Sequence, residues 1–202
     1  MAARIPGAER RERILSTSMR LFAARGFAAT KTKDVARAAG VSEAMVFKHF
    51  PDKESLYRAL IERKIAEAEE VLPLADLEKS GEALDVFLAR IAGEMLRKCE
   101  EDASFLRLFL LSALEDHPLA AEFDAARADR MRTVVAAHLR RETRAGRVRS
   151  VDPAFAARAF LGLVAWFALA RTIFREPGSR RIPREKLVRE TVALFLDGVR
   201  TR

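Results

Sequence analysis

The chain has 202 residues, half of them hydrophobic and a third charged, which is enough for one or two folded domains with a sizeable core. Its single cysteine, Cys99, rules out an intrachain disulfide and a cysteine metal cluster within these residues. The three histidines are scattered, and the sequence has neither an HExxH motif nor a phosphate-binding glycine loop. We therefore expect no enzyme, no cofactor and no metal site.

The formal net charge is +8, and residues 1–55 hold eleven basic and six acidic side chains, or +5 of that total. Such a basic N-terminal quarter is typical of a surface that meets nucleic acid, although an arginine-rich protein is often basic throughout.

The N-terminus lacks the apolar core of a signal peptide. The most apolar stretch, Ala159 to Ala170, is short and is bounded by Arg158 and Arg171, so we predict no membrane span and a cytoplasmic protein.

Alanine, leucine, arginine and glutamate are abundant, and strand signals are absent, so the sequence predicts an all-α fold of about nine helices. Residues 1–8 are predicted to form a disordered arm, and the first helix runs from about Ala8 to Arg25. The arm residues Arg4, Arg10 and Arg11 could reach a minor groove of DNA. The alternative is that the arm is solvated.

A short helix, a glycine turn and a second helix follow. Thr32 can cap the first helix, Gly40 suits a left-handed residue at its end, and Ser42 can cap the second helix, which reaches about Phe50. In the turn that follows, Asp52 can cap a further helix. This spacing is that of a helix-turn-helix motif, whose second helix enters the DNA major groove, but an ordinary helical hairpin has the same spacing.

The motifs also support a family assignment. The runs 39–42 (AGVS), 46–50 (VFKHF) and 52–56 (DKESL), together with 21–27 (LFAARGF), are similar to the N-terminal signature of TetR-family transcriptional regulators over about residues 10–60. The resemblance implies a three-helix DNA-binding domain, residues 1–55, followed by a helical effector-binding and dimerisation domain, residues 56–202.

The resemblance places DNA contacts at the start of the second helix and along the third. These positions are Thr32, Lys33, Glu43, Ala44, Met45, Phe47, Lys48, His49 and Lys53. The lysines suit phosphates, and Ala44 and Met45 suit thymine methyl groups. Glu43 could accept from a cytosine amino group or interact with the helix dipole, and His49 could donate to a phosphate or pack locally.

Two residues depart from the family pattern. Phe47 stands where tyrosine is usual and therefore lacks a hydroxyl for a phosphate, which predicts a looser phosphate clamp. Met45 stands where a small residue or threonine is usual, which predicts an altered operator.

Beyond the motif, the fourth predicted helix runs from Lys53 to Leu72 and connects the two domains. Residues 73–81 are predicted to be a linker and residues 175–182 a loop. Five more helices are predicted at 84–99, 105–115, 118–145, 153–174 and 183–199.

The resemblance also implies a ligand pocket in the second domain. Candidate lining residues are Phe87, Met95, Phe105, Arg107, Phe109, Phe123, Met131 and Trp166. An aromatic and methionine stripe is more often plain core. Arg107 and Trp166 need polar partners, which a ligand could supply, as could Glu94, Glu101 or Asp124.

The last two predicted helices carry more apolar surface than one core face needs. In the family these helices form a four-helix bundle across a two-fold axis. The candidate interface residues are Phe160, Leu161, Val164, Phe167, Phe195 and Leu196.

The sequence thus predicts a homodimeric regulator, a repressor that binds a pseudo-palindromic double-stranded operator and is released by a small, largely apolar effector. The alternative is a helical small-molecule-binding protein or enzyme without a DNA function, which would not need the basic N-terminal quarter.

Overall fold

The computed structural model describes residues 6–200, which are almost entirely helical. The helices are α1 (Gly7–Ala29), α2 (Thr32–Ala39), α3 (Glu43–His49), α4 (Lys53–Val71), α5 (Leu74–Lys79), α6 (Leu84–Glu101), α7 (Ser104–Leu114), α8 (Pro118–Phe123), α9 (Asp129–Arg144), α10 (Pro153–Thr172), α11 (Pro177–Arg181) and α12 (Arg184–Val199), with a π-helical segment at Asp124–Ala128. Strand pairing within this range is limited to one antiparallel bridge between Val148 and Arg200. The predicted all-α class is confirmed.

The first of two compact units contains residues up to Ala66 together with 104–123. Its core joins α1 to α4 with α7, and its largest fully buried side chains include Phe22, Leu56, Tyr57 and Leu60. The sequence placed the domain boundary after residue 55 along the chain. In the structure the first unit extends further along α4 and also includes the later helix α7, because α7 packs on α1.

The second unit contains residues 67–103 and 124–200 of the described chain. Here α10 packs against both α6 and α9, and α12 packs against α6. Phe87, Ile91, Leu139 and Phe160 are fully buried in this core.

Three segments differ from the predicted helix boundaries. The predicted linker contains α5, because Leu74 and Leu77 are fully buried on one face of a short helix that begins directly after Pro73. The predicted loop after α10 contains α11, which Pro177 opens. The single helix predicted over 118–145 is divided into α8, the π-helical segment and α9.

The prediction that no segment could span a membrane needs correction. The 20-residue helix α10 is long and apolar enough by composition, with a mean hydropathy of 1.6. One face of it, including Ala156, Phe160, Val164 and Ala168, is nevertheless buried in the second unit. A core helix of a soluble protein passes the same test, so the composition of α10 is weak evidence for a membrane.

Candidate nucleic-acid interface

The turn between α2 and α3 depends on Gly40. This residue ends α2 in the left-handed conformation, with φ of 64°, and its N–H donates to the carbonyl groups of Ala36 and Arg37. A Cβ atom at this position would lie 2.8 Å from a guanidinium nitrogen of Arg13. The backbone angle therefore favours glycine, whereas the flexible end of the Arg13 side chain can move aside.

The second helix of the motif begins as the sequence predicts. The Ser42 hydroxyl accepts a hydrogen bond from the Met45 N–H at 3.2 Å, which confirms the N-cap. Val46 and Phe50 are buried and fix the helix to the core. The opposite face is turned to solvent, and its exposed residues include Glu43, Ala44, Phe47 and Lys48.

Thr32 does not cap α2. The residue before it, Lys31, is the N-cap position, and no side chain caps that end. The Thr32 hydroxyl instead donates to the Glu43 carboxylate at 2.5 Å, which links the starts of α2 and α3. Glu43 therefore has a partner within the protein, and Lys33, the residue after Thr32, is exposed.

Met45 and Phe50 contact cations of α1, and the charges of these cations also act on His49. An Arg10 guanidinium nitrogen is 3.6 Å from the Met45 sulfur, and the Arg11 guanidinium lies 5.0 Å from the centre of the Phe50 ring. Burial lowers the pKa of His49, and the positive charges of Arg10, Lys48 and Arg11 lower it further. Near neutral pH the imidazole is therefore uncharged.

The positions of Arg10 and Arg11 also correct the predicted arm. Both residues belong to helix α1, which begins at Gly7, so neither is part of a disordered arm. Arg4 lies outside the described residues.

Lys53 has two contacts inside the first unit. Its ammonium group donates to the Phe27 carbonyl at 2.9 Å and lies 4.0 Å from the centre of the Phe27 ring. This side chain therefore ties the start of α4 to the end of α1. Lys33 and Lys48 are the more exposed of the predicted phosphate ligands.

A contact that sequence reasoning missed holds α7 to the end of α1. The Glu115 carboxylate accepts from the N–H groups of Phe27 and Ala28, at 3.1 and 3.4 Å. Gly26, with φ of 80°, allows this approach, because a Cβ there would overlap the carboxylate. The Tyr57 hydroxyl also bonds to the Ser112 hydroxyl. In the sequence, only Gly26 at the predicted end of the first helix indicated that another part of the chain could approach closely here.

The predicted pocket residues fall into two groups. In the first unit, the Phe123 ring lies 4.7 Å from that of Phe105 and 5.6 Å from that of Phe109. Arg107 donates to the carbonyl of Ala23 at 3.3 Å. The carboxylates suggested as its partners are engaged elsewhere: Arg97 binds Glu94 and Glu101, and Arg132 binds Asp124.

In the second unit, Phe87 is fully buried and its ring stacks on His138 at 4.1 Å. Met131 is buried and Met95 partly buried. Trp166 is 56% exposed, with its ring 5.9 Å from that of Phe174, so it is not enclosed in the protomer and does not need a buried partner. The prediction for Trp166 is corrected on this point.

The predicted dimer residues are mostly core. Phe160, Val164, Phe195 and Leu196 are buried within the protomer, and Leu161 and Phe167 are partly buried. Because α10 is apolar all round, its sequence period did not show which face is turned inward.

The exposed apolar face of α10 is formed by other residues than the predicted interface set. Phe155, Ala159, Gly162 and Trp166 are exposed at spacings of four, three and four residues. Phe155 is 70% exposed, and Leu194 of α12 is 69% exposed. Among the described residues of α10, this face is exposed, whereas Phe160 and Val164 of the predicted set are buried in the protomer.

Two family models match the chain. The model described as bacterial regulatory proteins, tetR family, matches residues 14–60, and the model of the C-terminal domain of AefR-like transcriptional repressors matches residues 82–198.

Individual relatives cover most of the chain. The HTH-type transcriptional repressor Rv1474c of Mycobacterium tuberculosis is 31% identical over 180 residues, which are 86% of this chain and 87% of that protein. The crystal structure of PfmR, a TetR-family transcriptional regulator of Thermus thermophilus, has a TM-score of 0.72 and 26% identity, over 92% of this chain and 97% of PfmR. That of AibR, in complex with isovaleryl coenzyme A and operator DNA, has a TM-score of 0.72 and 22% identity, over 92% of this chain and 97% of AibR.

Proposed function

Because the chain belongs to the TetR family of bacterial transcriptional regulators, we propose that it is a homodimeric repressor that binds a pseudo-palindromic operator and is released by a small effector. The observation that carries this proposal is the capped helix α3, held by a buried inner face while its outer face is open to solvent. Because such a regulator acts on bacterial DNA, the proposal includes a cytoplasmic location.

We propose that α3 lies in the major groove with its first residues against base edges. Ala44 and the exposed ring of Phe47 offer apolar contacts to thymine methyl groups. Lys33 and Lys48 neutralise phosphates on either side, so the affinity falls as salt rises. Met45 is positioned by Arg10, and base contact by Met45 requires that this contact loosen.

The effector proposal is supported by family membership and by the composition of the helices beyond the motif. The AibR structure contains isovaleryl coenzyme A as well as operator DNA, so a fold of this kind can hold both. For this chain we propose a small, largely apolar effector, consistent with the aromatic cluster of Phe105, Phe109 and Phe123. Effector and operator would then be negatively coupled, and each would weaken the binding of the other by the same factor.

We propose α4 as the coupling element. It begins at Lys53, beside the recognition helix, and ends at Val71, among residues of the second unit. Its first turn is tied to α1 through Lys53, and Asp52 caps it by accepting from the Ser55 N–H at 2.7 Å. A displacement of the far end of α4 would therefore reach the residues that position α3.

The test is operator binding by full-length protein, with DNA from upstream of its own gene as the first candidate. Lys48→Ala should weaken binding and reduce the slope of log affinity against log salt concentration by about one. The matched control is Lys98→Ala, which removes an exposed lysine of α6 in the second unit. Equal affinities and salt slopes for wild type and Lys48→Ala would contradict the placement of α3 on DNA.

The repressor assignment has its own measurement. A reporter behind the bound promoter should be silent when the protein is present and active when it is absent or when effector is added. Higher reporter activity in the presence of protein than in its absence would make the protein an activator and refute this part of the proposal.

A further inference from the structure

The second unit contains a basic cleft at the end of α10, about 450 Å³ in volume. Its walls are formed by Cys99, Glu100 and Ala103 at the end of α6, and by residues at the end of α10 and in the segment that follows. The latter are Arg171, Thr172, Arg175 and Arg180. Three of the seven lining residues are arginines, and none of the residues proposed to bind DNA or effector is among them.

Arg171 builds the cleft. Its side chain is only 12% exposed, and its Nη1 donates to the carbonyl groups of Ser179 and Ile182 at 2.6 and 2.8 Å. Its Nε donates to Glu100 at 2.6 Å. These bonds hold the 175–182 segment against the end of α10, so the walls of the cleft are fixed by a largely buried side chain.

The charge within the cleft is not balanced. Within the described part of the chain, Glu100 is the one carboxylate in its walls, and it already pairs with Arg171 and, at 3.2 Å, with Arg184. Among residues 6–200, the guanidinium groups of Arg175 and Arg180 have no carboxylate partner, and both side chains are exposed. Burial raises the pKa of the Cys99 thiol to about 11, so it is uncharged and does not repel an anion.

The backbone of Arg175 is also unusual. Arg175 has φ of 54°, in the left-handed region where glycine is the usual residue after a helix end. The neighbouring Glu176 N–H closes the end of α10 by donating to the Ala170 carbonyl at 2.8 Å. The chain thus carries an arginine where glycine would cost less free energy, and that arginine lines the cleft.

From the cleft, its two unpaired guanidinium groups and the strained arginine, we propose that residues 171–180 form a binding site for a phosphate dianion, either inorganic phosphate or the phosphate of a monoester. Planar guanidinium groups bind phosphate oxygens through paired N–H donors, and two of them in one cleft match the charge of a dianion. The site lies in the second unit and is independent of the proposed operator contacts.

Isothermal titration of the full-length protein with inorganic phosphate, and separately with adenosine monophosphate, tests the proposal at fixed ionic strength in chloride. The informative variant is Arg175→Gly, because glycine adopts the left-handed conformation without strain, so the fold is kept while the guanidinium is removed. We expect Arg175→Gly and Arg180→Ala each to raise the Kd for the bound probe by about tenfold or more. The tighter of the two probes identifies the source of the phosphate.

One control separates the cleft from the overall positive charge. Arg140→Ala removes an exposed arginine of α9 that does not line the cleft. This variant should bind the probes like wild type. The proposal is overturned if neither probe gives saturable binding to wild type, or if Arg140→Ala weakens binding as much as Arg175→Gly.

Discussion

Replacing Arg127 by alanine should destabilise the protein markedly, although Arg127 lies in none of the proposed binding sites. Its side chain leaves the π-helical segment and is 8% exposed. Its Nη2 donates to the carbonyl groups of Ala68 and Leu72, at 3.2 and 2.8 Å, and its Nη1 pairs with Glu69. Arg127 thereby supplies a donor to the Leu72 carbonyl at the C-terminal end of α4 and a second donor to the Ala68 carbonyl, which also accepts from the Leu72 N–H.

The structure sets the magnitude. Each lost hydrogen bond to a carbonyl costs about 1 kcal/mol, and a buried ion pair broken on one side costs about 3–5 kcal/mol. Because the Glu69 side chain is 39% exposed and can be hydrated, the ion-pair contribution falls well below that range. We expect a total loss of about 3 kcal/mol, which for a chain of this length lowers Tm by about 6–12 °C.

Thermal denaturation followed by circular dichroism measures this loss. The matched control is Arg130→Ala, three residues further on and exposed, which should change stability by less than about 0.5 kcal/mol. Arg127→Lys keeps the charge but not the planar fork, and should fall between the two. If Arg127→Ala and Arg130→Ala melted within about 2 °C of each other, the capping role of Arg127 would be refuted.

Three further outcomes are expected. Operator affinity should rise as pH falls from about 7.5 to about 5.5, because DNA phosphates favour the protonated form of His49. Without DNA, the protein should lose stability over the same pH range, because the pKa of His49 is lower in the folded than in the unfolded protein. In His49→Gln most of the affinity change should disappear, and a full change there would exclude His49 as its source. Gly40→Ala should cost about 1–2 kcal/mol in thermal denaturation, since φ is 64° and alanine is strained in that conformation. Gly81→Ala, where φ is not in that region and the space is open, should be nearly neutral, and equal costs would contradict the turn argument. Trp166→Glu should convert a dimer to monomers in sedimentation, and an unchanged dimer would place the interface elsewhere.

The DNA-binding motif could be predicted because its signals are local. Gly40 ends one helix and Ser42 starts the next, and each acts through its own backbone angles or a bond three residues away. The inward positions of Val46 and Phe50 follow from the same helix period, and the structure confirms both.

Other features depend on contacts between distant parts of the chain. Glu115 meets Phe27 across 88 positions, and no local pattern marks either residue as a partner. On α10 the limit is different: Phe160 and Trp166 are both large and apolar, so hydrophobic periodicity could not tell the buried face from the exposed one.

The π-helical segment Asp124–Ala128 has a consequence for the length of the chain itself. A π turn bonds each N–H to the carbonyl five residues before it, so it holds one residue more than an α turn. Deleting one of its small exposed residues, such as Ala125, would allow an unbroken α-helix. Because the extra residue is what widens the turn, its deletion would leave the residues on the two sides in nearly the same relative orientation. Deleting an exposed residue within α9, such as Thr133, would instead rotate the residues after it by about 100° relative to those before it. The chain should therefore tolerate the loss of one residue more readily in the π-helical segment than in the regular helix that follows.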